Sequence, residues 1–167
     1  MPLEAAQMLY TAKWILEPDA EWQKNAPWNK FKTARGYKVR EPNHPMSKWV
    51  RRSLSNYMYC IEYALALCKE YTDRRGKVAA FEEHIHWLKA NPPANLADKG
   101  LTPIPLVVNK IENSKRKGKK VPTKKESDMD AVVEAYRKLY IEDKKRFATY
   151  KFSEPPEWLF SENNLAV

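Results

Sequence analysis

Residues 43–76 read NHPMSKWVRRSLSNYMYCIEYALALCKEYTDRRG, and the spacing of apolar side chains within them decides the fold. Pro45 pre-sets the backbone for a first helical turn, with Asn43 or His44 near the cap. Behind it Val50, Leu54, Tyr57, Ile61, Ala64, Leu65, Cys68 and Tyr71 recur at three- and four-residue steps, the period of one helix face. The pattern runs to Gly76, a natural stop, and predicts a central helix of about 30 residues, about 45 Å long if unbroken.

Toward the N-terminus, Pro2 to Leu16 reads as a second helix. Leu3, Ala6, Tyr10 and Trp14 fall on one face and Met8, Leu9, Ala12 and Ile15 on another, so burial on most sides is expected. Pro18 marks its end. The turn-rich stretch from Glu17 to Pro42 carries Trp22, Trp28, Phe31 and Tyr37, expected to pack down on the helices, with a binding cleft as the alternative. Toward the C-terminus a helix is predicted over Val78–Ala90, with Phe81, Ile85 and Leu88 inward, ending at Asn91-Pro92-Pro93. Residues 91–126 form a Pro-rich and then Lys-rich connection with room for an extended piece at Ile104–Val108. Ser127-Asp128-Met129-Asp130 reads as a capping box. Met129, Val132, Val133, Tyr136, Leu139, Tyr140 and Phe147 make a further amphipathic helix, and Pro155–Phe160 an extended aromatic tail laid against the body. The expected fold is all-α. It is a single compact domain, residues 1–167, around one long central helix, with a flexible basic loop at about 113–127.

At 167 residues the chain fits one domain with a sizeable core. Its 43% hydrophobic content, with six Trp, nine Tyr and five Phe, excludes a disordered chain. Cys60 and Cys68 lie eight residues apart in one helical stretch, about 12 Å at 1.5 Å per residue, too far for a disulfide. A reduced, cytoplasmic setting is expected. No apolar run approaches a membrane span, and the start lacks the basic and apolar regions of a signal peptide.

The net charge of +9 is unevenly spread. Segments 1–42 and 43–76 carry +2 and +3, residues 77–114 balance, 115–125 carry +7 and 126–167 carry −3. The +7 comes from Lys115, Arg116, Lys117, Lys119, Lys120, Lys124 and Lys125, a loop suited to phosphates with strong salt dependence and little base discrimination. The bland alternative is a solvated loop without a partner.

Beside the core stripe of the central helix, Trp49, Arg52, Ser53, Asn56, Tyr63, Glu70 and Arg74 step by three, four and seven. His44 stands at the upper end of this line and Lys77 just past the lower. Arg52 and Arg74 suit phosphates, Asn56 a base edge, and Trp49 stacking on a base. Equally, Ser53 and Asn56 satisfy buried backbone groups near a second helix. His84 and His86, two apart, point to different sides of a helix and hold no common metal ion. With four Gly there is little room for a phosphate loop, so neither metal nor cofactor is expected. The start, Met1-Pro2-Leu3-Glu4, admits one catalytic idea beside an ordinary helix start. With Met1 removed, the Pro2 amine is a nucleophile for a sugar aldehyde carbon, and Glu4 handles proton transfers.

Several strings resemble a family of small phage-encoded proteins: Met1–Leu9, then Asn43-His44-Pro45 with Trp49, Ser53, Asn56 and Tyr57. Leu67–Tyr71 with Arg74 and Gly76-Lys77 follow, then Leu101-Thr102-Pro103, Val133–Arg137 and Pro155–Trp158. Family members show a Tyr and a His where this chain has Arg75 and Ala79, and carry a further Cys-Asp-Lys-His stretch before the Met-Pro-Leu-Glu string. More distantly, the Glu-Ala-x-Gln start, Asn-His-Pro and a long helix resemble endonuclease-V-type pyrimidine dimer DNA glycosylases. That resemblance implies a DNA partner, removal of a damaged pyrimidine through an imine at the N-terminal amine, and an acidic role for Glu4. His44 and Glu70 complete the expected catalytic set. Trp49, Arg52, Asn56, Arg74, Lys77 and the seven cations of 115–125 form the expected DNA-binding set. A non-catalytic nucleic-acid or nucleotide binder, and a structural partner-binding protein, are the alternatives.

Overall fold

The computed structural model describes residues 2–105, 107 and 129–160. The chain divides into two compact units, Met1–Thr102 and Pro103–Val167. Among the described residues the fold is all-α, without a strand or sheet. None of its helices is long and apolar enough to cross a membrane.

The first unit opens with α1 (Pro2–Leu16), where Pro2 supplies a helical φ and Glu4 complements the positive end of the helix dipole. Ala5, Ala6, Leu9, Tyr10, Thr11, Ala12 and Lys13 are all buried, so α1 is enclosed on most sides, as its two apolar faces predict. Glu17 precedes Pro18, which disfavours helical geometry at that residue and ends the helix. A 3-10 turn (Glu21–Asn25) follows.

The expected central helix is broken in two. The first piece, α2 (Pro45–Val50), has Pro45 at its start and His44 as its cap, the His44 side chain accepting from the Met46 N–H. The chain turns at Arg51-Arg52, passes through extended Ser53 (φ −153, ψ 148), and restarts as α3 (Leu54–Arg75), 22 residues long. No Gly or Pro marks this break, because the groups that permit it come from far along the chain. Leu54 N–H donates to the Ala97 carbonyl, and Ser55 N–H to Asp98 Oδ1, satisfying helix-start donors that would otherwise be orphaned. The same Asp98 oxygen accepts from the Ser53 and Ser55 hydroxyls and Gly100 N–H, which holds its carboxyl down at about 2. Gly76, in the left-handed region at φ 63, ends α3 as predicted.

The last helix of the unit, α4 (Glu82–Ala90), starts later than expected, leaving Val78 exposed, while Ile85 and Leu88 point inward as predicted. Asn91 caps its end through the Trp87 carbonyl. Leu9, Tyr57, Ile61, Val50, Ile85 and Leu88 are fully buried where α1 to α4 meet, each burial contributing about 1.5–3 kcal/mol.

In the second unit α5 (Met129–Leu139) does not continue to Phe147 as a regular helix. It loosens into a π turn (Tyr140–Lys144) and a 3-10 turn (Lys145–Phe147). The aromatic tail is not fully extended. Glu157–Phe160 form a short helix, α6, whose Leu159 is fully buried and whose Trp158 ring meets Tyr140 edge-on. Val133, Tyr140 and Phe147, expected inward, are substantially exposed. The predicted basic loop and the Ser127-Asp128 part of the capping box lie outside the described residues.

The strap 95–102 is locked onto the α2–α3 junction by Asn56. Its amide nitrogen donates to the Trp49 carbonyl and the Thr102 hydroxyl, and its amide oxygen accepts from Thr102 N–H. Replacing Asn56 by Ala strands these partners, and urea denaturation is expected to show a loss of about 3 kcal/mol. A loss below about 0.5 kcal/mol, the scale of an ordinary surface substitution, shows that the strap is not held there.

Candidate nucleic-acid interface

Between the 3-10 turn and α2 the chain makes a tight finger, residues 27–37. Its stem is an antiparallel bridge between Trp28 and Arg35, with Gly36 N–H bonded to the Pro27 carbonyl and Asn29 N–H to that of Ala34. Its tip is wound around Asn29, whose side-chain oxygen accepts from the Phe31 and Thr33 N–H groups at 3.1 Å each, while Nδ2 donates to the Thr33 hydroxyl. That local bonding is why an Asn starts a turn here. It also holds Lys32 in the left-handed region at φ 53, a conformation costing about 1 kcal/mol for a side-chain-bearing residue.

The tip carries Lys30, Phe31 and Lys32, with Phe31 78% exposed. On the stem the Arg35 guanidinium lies 4.6 Å from the Trp28 ring centroid and donates to the Ala26 carbonyl, leaving Trp28 48% exposed. Beyond the stem Lys38, Val39 and Arg40 are exposed. This continuation is pinned to α1 by Trp14 Nε1 donating to the Tyr37 carbonyl, and by Arg40 N–H donating to the Thr11 hydroxyl.

Tyr10 forms the floor. Its ring lies against Gly36, where a Cβ would come within 2.8 Å of the ring, and Gly36 has φ +66 besides. Only glycine fits. The Tyr10 hydroxyl meets His84 Nδ1 at 2.8 Å, both groups fully or almost fully buried. The Trp28 backbone also hydrogen-bonds the His84 ring, so α4 reaches the base of the finger. Burial lowers the His84 pKa, with the Trp28 backbone and Glu83 opposing, and burial raises that of Tyr10. Beside Tyr10, Lys13 is buried within an aromatic box. Its Nζ donates to Glu17 at 2.7 Å and lies 5.6 and 5.8 Å from the Trp22 and Trp87 rings. Glu17 in turn accepts from Ala94 N–H. Lys13 is a satisfied interior ion pair.

Three residues of the line expected along the central helix, Trp49, Ser53 and Asn56, are sealed inside the unit. Trp49 is buried with its indole N–H on the Thr102 carbonyl, and Asn56 is buried under the strap, so neither stacks on a base nor reads one. Ser53 is likewise spent on Asp98 and Lys99. The mixture of Trp, Ser and Asn is the chemistry of a sealed junction, where each polar group needs a protein partner. Arg52 is exposed at the junction, and Lys77 is exposed beyond Gly76. Glu70 and Arg74 pair with each other at 3.7 Å. Glu70 stands about 24 Å along the α3 axis from Leu54, at 1.5 Å per residue. His44 spends its Nδ1 on the α2 cap. Glu4 is exposed in the first turn of α1. Lys115, Arg116, Lys117, Lys119, Lys120, Lys124 and Lys125 lie outside the described residues.

His84 and His86 face opposite ways, His84 into the core and His86 toward Glu82 at the surface, as their spacing requires. Cys60 and Cys68 are both buried free thiols, pushed up to about 12 and about 11 by burial.

Sequence reasoning placed Trp22 and Tyr37 correctly against the helices but expected the same of Trp28 and Phe31. The missed signal was countable. From Trp22 to Arg40 the chain holds six cations and no carboxylate, a run hidden when charge is summed over 1–42, whose acids all lie outside it. No family model matches the chain, no curated protein matches it, and no solved structure matches its fold.

Because the folded state holds His84 neutral, the unfolded chain binds the proton more readily. Stability is therefore full above the ordinary histidine value of 6.5 and declines as pH falls from there through the lowered folded value. Urea denaturation across this range is expected to show that decline, and His84→Phe to remove the slope whatever its effect on absolute stability. An unchanged slope in His84→Phe places the titrating group elsewhere.

Proposed function

We propose that this chain binds polynucleotide without turning it over, gripping the phosphate backbone with the finger and the exposed cations that follow it. One observation carries this: an internally bonded loop presents Lys30 and Lys32 with two exposed aromatic rings, exposed Lys38 and Arg40 follow it, and the run from Trp22 to Arg40 holds no carboxylate. Phosphates are recognised by cations held at spacing, and fixing the loop beforehand avoids the ordering cost on binding. The seven cations of 115–125 add a second, less specific attraction at the level of sequence. DNA is the partner that the distant glycosylase resemblance implies.

Binding of a labelled oligonucleotide, followed by fluorescence anisotropy, tests the proposal. With about four phosphates neutralised by the finger, affinity is expected to fall about 100-fold between 50 and 200 mM salt. The quadruple variant Lys30→Ser, Lys32→Ser, Lys38→Ser and Arg40→Ser is expected to flatten that dependence and weaken binding at low salt by a similar factor. Unchanged affinity in this variant assigns the grip to other cations and overturns the proposal.

A further inference from the structure

We infer that the finger recognises unpaired bases, with Phe31 as a stacking platform, so that single-stranded or locally melted nucleic acid is its preferred target. This rests on the polynucleotide reading above and names the substrate class within it.

A tip that reads a duplex needs free donors and acceptors to reach base edges in a groove. The neutral polar side chains at this tip, Asn29 and Thr33, are engaged with each other and with the loop backbone, and Lys30 Nζ lies 5.9 Å from the Phe31 ring centroid. Asn29 Oδ1 serves the Phe31 and Thr33 N–H groups, and Nδ2 serves Thr33 Oγ1. What the tip has left to offer is charge and an aromatic face. Lys30 and Lys32 flank Phe31, whose ring is 78% exposed. The ring's exposure is built in, because Asn29 bonds the Phe31 backbone and Lys32 sits in a left-handed conformation that a relaxed loop avoids. A second ring, Trp28, is half-exposed on the stem with the Arg35 guanidinium against it. Cations that follow a phosphate chain, alternating with rings that accept any base, are the recognition mode of single strands. Paired bases present no open face to such a ring, so a duplex is offered phosphate contacts alone.

A basic tip with one aromatic ring also fits an anionic bilayer surface, but a single Phe gives shallow insertion, and lasting attachment takes a second anchor. The ordered stem, with Arg35 held against Trp28, favours stacking.

The test compares the full-length protein with Phe31→Ala on a single-stranded oligonucleotide, on the same sequence as a duplex, and on vesicles of anionic lipid, each at low and at high salt. Phe31 is exposed, so the variant keeps its fold. The wild type is expected to bind the single strand at least tenfold more tightly than the duplex. Phe31→Ala is expected to lose about tenfold to a hundredfold on the single strand and to leave duplex binding unchanged. Equal loss on both forms, or loss on neither, overturns the stacking role while salt-sensitive binding leaves the polynucleotide reading standing. No binding to either nucleic acid at low salt overturns both, and Phe31-dependent binding to vesicles alone reassigns the finger to a lipid surface.

Discussion

Tyr10 is the side chain on which the first unit depends. Its ring is fully buried and packs against four others, with centroid separations of 5.9 Å to Trp22, 5.6 Å to Tyr37, 5.6 Å to His84 and 6.1 Å to Trp87. It therefore ties α1 to α4, to the 3-10 turn through Trp22 and to the finger through Tyr37. Its hydroxyl sits where no water reaches and needs a partner, which His84 supplies; loss of that partner costs about 1–3 kcal/mol. A neutral imidazole meets both demands placed on it, accepting at Nδ1 from Tyr10 and donating to the Trp28 carbonyl. Gly36 completes the arrangement by letting the backbone lie flat on the ring. The finger is thus the outward end of a core contact.

Seen from the sequence, the helices were legible wherever local signals govern them. Pro2, Pro45, Gly76 and the Asn91-Pro92 stop mark ends that the structure places at or near the same residues, because caps and breakers act within one turn. The break at Arg51–Ser53 was not legible. Its helix-start acceptors are Ala97 and Asp98, more than forty residues away, and the apolar stripe continues across it without interruption. The later loosening of α5 at Tyr140 escaped for a similar reason, since periodicity continues where hydrogen bonding changes.

The same long-range contacts bury part of the line that helical spacing marks as a candidate site. Trp49, Ser53 and Asn56 fall at helical spacing beside the core stripe, and on an isolated helix they form a mixed polar face. The strap 95–102 turns that face into an interior, and Thr102 alone engages both Trp49 and Asn56. The finger, conversely, carries aromatic residues whose type suggests burial, and whether Trp28 and Phe31 face inward depends on Asn29 and Gly36 rather than on any period. Lys13 shows the opposite exception, a charge drawn inside because Glu17 stands one turn away and two Trp rings enclose it.

Binding by the finger, as proposed, requires a loop that is set before any ligand arrives. Backbone 15N relaxation of residues 29–34 in the free protein measures this directly. Order parameters near 0.85, level with those of α3, are predicted for a finger fixed by Asn29 and seated on Tyr10. Values below about 0.6, with α3 remaining rigid, describe a loose loop and contradict the account.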